Sequence, residues 1–199
     1  MDLAEDVETA DPITVMDLAW AKWLHAHGTP ALTDVMLAVS TLHGMLSLTI
    51  ATILLAMFLT WRRQRDWLLG LLWALPGGMA LNALLKSVFA RARPHFIDPI
   101  VILTSYSFPS GHVAGSTLFY GFVAAWLISR THSVARYISI VLSALLMVTL
   151  VALSRMYLGA HFFSDVLAAF FESLAWLGIG LVAIHVISGR RNTSPQDMQ

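Results

Sequence analysis

His161 and Asp165 stand four residues apart at the end of a short run that opens with Ser154 and Arg155. On a helix that spacing stacks two side chains on one face. A carboxylate that holds one imidazole nitrogen leaves the other free to attack or to accept a proton. Arg155, upstream across a turn containing Gly159, offers a planar fork suited to a phosphate. Alone, a helical His-xxx-Asp pair reads more readily as a structural hydrogen bond than as catalysis. Two further segments carry related chemistry. Lys86 and Arg93, followed by Pro94, are seven apart and are expected to share a helix face. Pro109-Ser110-Gly111-His112 reads as a helix start, in which Ser110 can cap and Gly111 lets a ligand approach the backbone. Free amides at such a start favour a phosphate, and His112 lies in the first turn.

The elements that must position these residues are membrane helices. Of the 199 residues, 57% are hydrophobic and 12% charged. With a mean hydropathy of +0.71, that is too apolar for a soluble domain. Several apolar runs approach the length that crosses a bilayer. Acidic and basic residues balance at 12 each, and the basic ones are scattered, so nothing indicates nucleic acid. The absence of cysteine excludes disulfides and thiol chemistry.

The chain divides into an acidic tail (1–12), one membrane-embedded domain (13–189) and a polar tail (190–199). The start lacks the basic region of a secretory signal, so no cleaved peptide is expected. Asp11-Pro12 reads as a helix cap with proline in the first turn. Residues 13–27 place Met16, Trp20, Trp23 and Leu24 on one side, with Asp17 and Lys22 elsewhere; this is expected to be an interfacial helix lying on the membrane. Five spans are expected after it: residues 31–61, 67–90 with a kink at Pro76-Gly77-Gly78, 110–129, 137–157 and 161–187. The fold class is therefore all-α, a helical membrane bundle. Arg62, Arg63 and Arg65, Arg130 and Arg136, and Arg190 and Arg191 fall on one side, which the positive-inside rule makes cytoplasmic. Lys86, Arg91, Arg93 and Arg155 break that rule at the outer ends. A charge at membrane depth costs roughly 2.5–3.5 kcal/mol on insertion scales, and an anionic ligand is a reason to bear it.

Together the three segments resemble the type 2 phosphatidic acid phosphatase superfamily, the lipid phosphate phosphatases. Its motifs Lys-x6-Arg-Pro, Pro-Ser-Gly-His and Ser-Arg-x5-His-x3-Asp all occur here in order, from Lys86 to Asp165. The resemblance implies that His161 is the nucleophile and forms a phosphohistidine, with Asp165 orienting it. It implies that His112 protonates the leaving group and then activates water. Lys86, Arg93, Arg155, Ser110 and Gly111 would hold the phosphoryl oxygens, with no metal and no cofactor. The implied substrate is a lipid phosphate monoester or diphosphate, of the undecaprenyl diphosphate, phosphatidic acid or phosphatidylglycerol phosphate type, met at the outer leaflet of a bacterial inner membrane. Most bacterial members have six helices, and the usual first span has no counterpart before residue 31. Either the interfacial helix replaces it or the start is truncated.

Other readings of the same residues exist. Ser110 to His112 can be a helix cap alone, and His112, His161 and Asp165 can ligate a metal. A phosphotransferase would pass the phosphoryl group to another lipid, and a transporter of anions or lipid phosphates would use the cations without a nucleophile. Arg91 lies outside the motifs and is expected to be a loop or headgroup contact. His25, His27, His43, His132 and His185 fit no motif and read as structural or interfacial. Glu172, about 16 Å deeper than His161 by helical rise, is expected to hydrogen-bond to a neighbouring helix. Ile100, Val101, Ile102 and Leu103 are expected to dip into lipid beside the substrate.

Overall fold

The computed structural model describes residues 12–192, with side chains through residue 183. Asp11, both terminal tails, His185, Arg190 and Arg191 therefore lie outside the described residues or side chains. Seven helices and no strand occur among the described residues: α1 (Pro12–Ala26), α2 (Pro30–Leu42), α3 (Met45–Trp61), α4 (Arg65–Phe89), α5 (Gly111–Ile128), α6 (Val134–Tyr157) and α7 (Phe163–Asn192). Helices α4 to α7 are each long and apolar enough to cross a membrane, and α2 with α3 makes a fifth, bent span. This is an integral membrane protein.

Two spans differ from expectation. The first is not one helix, because α2 and α3 meet at 45°. The break falls at His43-Gly44, where Gly44 takes an extended conformation and starts α3. The His43 ring is drawn inward instead, accepting from the Tyr120 hydroxyl at 2.7 Å while its Nδ1 donates to the Val39 carbonyl at 2.8 Å. Conversely, α4 runs unbroken through Pro76-Gly77-Gly78. Those residues serve close packing. A Cβ on Gly77 would lie 2.7 Å from the Trp176 ring, and one on Gly78 would lie 2.6 Å from Leu118. In lipid, where hydrophobic segregation cannot drive helix association, small residues at contacts let backbones approach. Trp176 in turn stacks on Trp73 of α4 at 4.7 Å.

Helix α5 is the hub, packing against α3, α4, α6 and α7. One core cluster joins Leu71 and Leu75 of α4, Leu118 and Phe122 of α5 and Leu177 of α7. A second joins Val113 and Ala114 of α5, Val148 and Val151 of α6 and Val166 and Ala169 of α7. At one end of the bundle Gln64 accepts a hydrogen bond from Trp126 at 2.7 Å, so the loops after α3 and α5 lie together with their arginines. The opposite end is built from the loop 90–110 and the turn 158–162.

Helix α1 has the expected exposed face: Trp20 and Trp23 are 46% and 54% accessible. Its other face holds Asp17 and Ala21, both buried, and packs on α6 and α7.

Candidate active site

Helix α4 stops at Phe89 because Ala90 turns into the left-handed region, φ 45°. Arg93 is consequently not on the helix, and it does not share a face with Lys86 as the spacing predicted. The two cations meet another way. Lys86 Nζ donates to the carbonyls of Tyr106 and Pro109 at 2.8 and 2.9 Å, and Arg93 donates to the carbonyls of Ser105 and Tyr106 at 2.7 and 3.1 Å. The loop 90–110 folds back over itself, and its own backbone fixes both charges.

Arg155 lies in the last turn of α6, 4% accessible, and donates to the Ser40 hydroxyl of α2 at 2.5 Å. Gly159 then takes φ +68° beneath the Phe96 ring, where a Cβ would lie 2.9 Å from it. A left-handed residue packed that closely needs glycine, and the turn it makes delivers His161 just before α7. Lys86, Arg93, Arg155, His161, His112 and Gly111 line one cavity of about 560 Å³. Its far wall is apolar and comes largely from α3 and α4, including Leu48, Ile53, Leu72 and Met79.

His161 is 3% accessible. Its Nε2 lies 3.3 Å from an Arg93 guanidinium nitrogen. Because arginine can only donate, Nε2 accepts and the ring proton sits on Nδ1. Nδ1 faces Asp165 Oδ2 at 3.6 Å, a charge–dipole contact slightly longer than a hydrogen bond. Burial, opposed by Asp165 but reinforced by Arg93 and Arg155, lowers the pKa of His161 to about 4. Nε2 is thus unprotonated at neutral pH, with its lone pair toward the Arg93 guanidinium.

Ser110 is the residue before α5, but its hydroxyl makes no cap bond; it is fully buried and without a partner. Its amide instead donates to the Asp165 carbonyl at 3.2 Å, which ties the start of α5 to α7. Arg155 Nε is likewise buried without a partner. Among the described residues, neither Lys86, Arg93 nor Arg155 forms an ion pair with a carboxylate; Asp165 pairs instead with Arg91 and His161, and Asp17 with Arg91. The charged side chains that line the cavity are thus all cationic.

Arg91 is not a surface contact. Its guanidinium bonds to Asp165 at 2.6 Å and to Asp17 at 2.9 Å. Burial alone would lower its pKa, but these two carboxylates raise it above the ordinary value. Ser107 also donates to Asp165. Neither Asp17 nor Ser107 was expected at the site. The one sequence signal was that Arg91 stands among the cations that break the positive-inside pattern. No group of three His, Cys, Asp or Glu side chains suited to a metal ion occurs among the described residues.

The sequence profile of the PAP2 superfamily matches residues 67–188. The chain belongs to the PAP2 superfamily. It is 34% identical over 110 residues to phosphatidylglycerophosphatase B of Bacillus subtilis strain 168, which covers 55% of the chain and 50% of that protein. The chain thus matches about half the length of this curated relative. The fold of a transmembrane PAP2-type phosphatidylglycerolphosphate phosphatase from Bacillus subtilis superimposes with a TM-score of 0.73 at 28% identity, over 96% of this chain and 92% of that one. LpxE of Aquifex aeolicus, at 22% identity, shares the fold with a TM-score of 0.67 over 83% of this chain and 94% of that one. Three motifs read from the sequence thus fall inside the matched PAP2 region, and a PAP2 fold carries them.

Proposed function

We propose that this PAP2 protein is a membrane lipid phosphatase that hydrolyses a lipid phosphate monoester, with phosphatidylglycerol phosphate as the preferred substrate class. The carrying observation is the cavity, where three cations without carboxylate partners and an imidazole whose Nε2 faces one of them line a single space. A phosphoryl dianion in the cavity would satisfy that charge. The likeness to phosphatidylglycerophosphatase B supports the choice of lipid. The apolar wall from α3 and α4 would keep the acyl chains in hydrocarbon while the headgroup reaches the cup.

In the first step His161 Nε2 attacks phosphorus, and the bond from phosphorus to the lipid oxygen breaks. His112, in its protonated form, gives its proton to that oxygen, and phosphatidylglycerol leaves through its head-group hydroxyl. In the second step neutral His112 takes a proton from water, whose oxygen attacks phosphorus as the phosphorus–Nε2 bond breaks. Inorganic phosphate departs and both histidines are restored. Lys86, Arg93, Arg155, Ser110 and the Gly111 amide neutralise the equatorial oxygens throughout, which is the main task in phosphoryl transfer. No metal takes part in this reading.

The experiment is to quench turnover of radiolabelled phosphatidylglycerol phosphate in alkali and locate acid-labile phosphate on His161. His161→Ala should lose nearly all phosphate release. Retained release, or label elsewhere, would refute the mechanism; phosphorylated acceptor lipid in place of free phosphate would reassign the protein as a phosphotransferase. The site is proposed to face the exterior of a bacterial inner membrane. In this cysteine-free chain, a cysteine at the fully exposed Ile97 should react with an impermeant label from outside only.

A further inference from the structure

Behind the nucleophile, on the side away from the cavity, a second polar cluster joins Asp165 to residues that no motif specifies, Asp17, Arg91, Ser107 and Ser164. Asp17 and Asp165 are both 0% accessible, and Arg91 lies between them. One guanidinium nitrogen bonds to Asp165 Oδ1 at 2.6 Å and to the Ser164 hydroxyl at 2.7 Å, and the other bonds to Asp17 Oδ2 at 2.9 Å. The Ser164 amide donates to Asp17 Oδ1 at 2.9 Å and its hydroxyl donates to Oδ2. On the other side, Asp165 Oδ2 accepts from the Ser107 hydroxyl and from the Phe162 amide, the latter at 2.9 Å. The Arg91 guanidinium also lies 4.5 Å over the Phe162 ring.

Buried carboxylates are tolerated when every lone pair is met, and become costly when one partner is removed. Here the two carboxylates share one cation, so each depends on the other's geometry. Asp165 is held by donors on both of its oxygens and cannot rotate away from His161. Helix α1 supplies half of that clamp. It is fastened to the same end a second time by His25, which stacks on Phe96 at 4.3 Å, the ring that covers Gly159.

We infer that Asp17 and Arg91 are positioning residues: through them the surface helix α1 fixes the Asp165 carboxylate, and through it the ring of His161. The inference rests on the reading of His161 as nucleophile. Neutralising Arg91 leaves two buried carboxylates facing one another, and Asp165 then has reason to turn. Misplacement of a reacting group by about 1 Å costs on the order of 10²-fold in rate.

The test uses the full chain in detergent micelles, with phosphatidylglycerol phosphate and a soluble phosphate monoester as two substrates. Asp17→Asn and Arg91→Gln are each expected to lower kcat about 10²-fold on both substrates, with KM unchanged. The double variant is expected to be no worse than the weaker single, since the pair acts as one unit. In folded protein labelled at histidine, the ring-nitrogen shifts of His161 should move in both singles. Arg91→Lys keeps the charge but cannot fork to both carboxylates, so it should lose less kcat than Arg91→Gln; it decides the matter alone if the neutral variants do not fold. Unchanged kcat, a change in KM alone, additive losses or unmoved His161 shifts would each overturn the inference. Turnover surviving in His161→Ala would instead remove the nucleophile reading, a separate outcome.

Discussion

Asn82 of α4 donates to Glu172 of α7 at 2.6 Å, one helical turn before Lys86 in the same helix. An intramembrane carboxyl group needs such a partner, and Asn82, 2% accessible, needs one equally. The bond is the contact with a neighbouring helix that the sequence led us to expect. Glu172→Gln keeps an acceptor for Asn82 and should preserve both melting temperature and turnover. Glu172→Leu strands a buried amide and should cost about 1–3 kcal/mol of stability, measured by thermal unfolding in detergent. Collapse of turnover in the Gln variant would give Glu172 a part in the chemistry.

Arg93 donates from all three guanidinium nitrogens, to Ser105, Tyr106, Ala160 and His161. A lysine ammonium cannot reproduce that planar fork. Arg93→Lys should therefore lower kcat/KM as the loss of one oxyanion donor does, by about 10²–10³-fold, although formal charge is kept. Steady-state rates on a soluble ester read this directly; near-normal rates would mean that charge alone suffices.

Ile102 is 84% accessible and Ile100 36%, while Leu103 is 40% accessible and borders the cavity. Replacing Ile100, Val101, Ile102 and Leu103 by serine should raise KM for micellar lipid and leave KM for a soluble phosphate ester as it was. Equal changes in both would place these side chains in the phosphate site instead of in lipid.

The depressed pKa of His161 has two consequences. Its ring stays neutral down to about pH 4, so if His161 is the nucleophile as proposed, the acid limb of kcat/KM due to it should fall near 4, not near the ordinary 6.5. For stability, the unfolded chain takes up the proton first. The contribution of this group is complete above 6.5 and is lost as pH falls through 4. His161→Asn should flatten the dependence of melting temperature on pH across that interval. A limb at 6.5 with an unaltered slope would show a solvated, ordinary ring.

The helical class, the exposed tryptophan face of α1 and the membership of one cavity by Lys86, Arg93, Gly111, His112, Arg155 and His161 were legible in the sequence. Hydrophobic run lengths fix the first, the positions of Trp20 and Trp23 the second, and motif chemistry constrains side-chain type at fixed positions for the third. What escaped depends on contacts between distant segments. Asp17 and Arg91 are 74 residues apart, and Ser107 is 58 from Asp165; no periodicity relates them. The joint at His43-Gly44 was invisible because Gly44 lies in a run apolar enough for one long span, and the Tyr120 hydroxyl that His43 meets there is 77 residues away. Lys86 and Arg93 were misplaced on one face because an alanine, a good helix former, ends α4 in a left-handed turn.

The indole of Trp176 resting against Gly77, with Leu118 against Gly78, means that the bundle is fastened by fit, since its surroundings are as greasy as its seams. Such a joint has little to lose when one lipid or detergent is exchanged for another. It has much to lose from a single added methyl group, which would wedge α4 away from α5 and α7 and carry Lys86 with it.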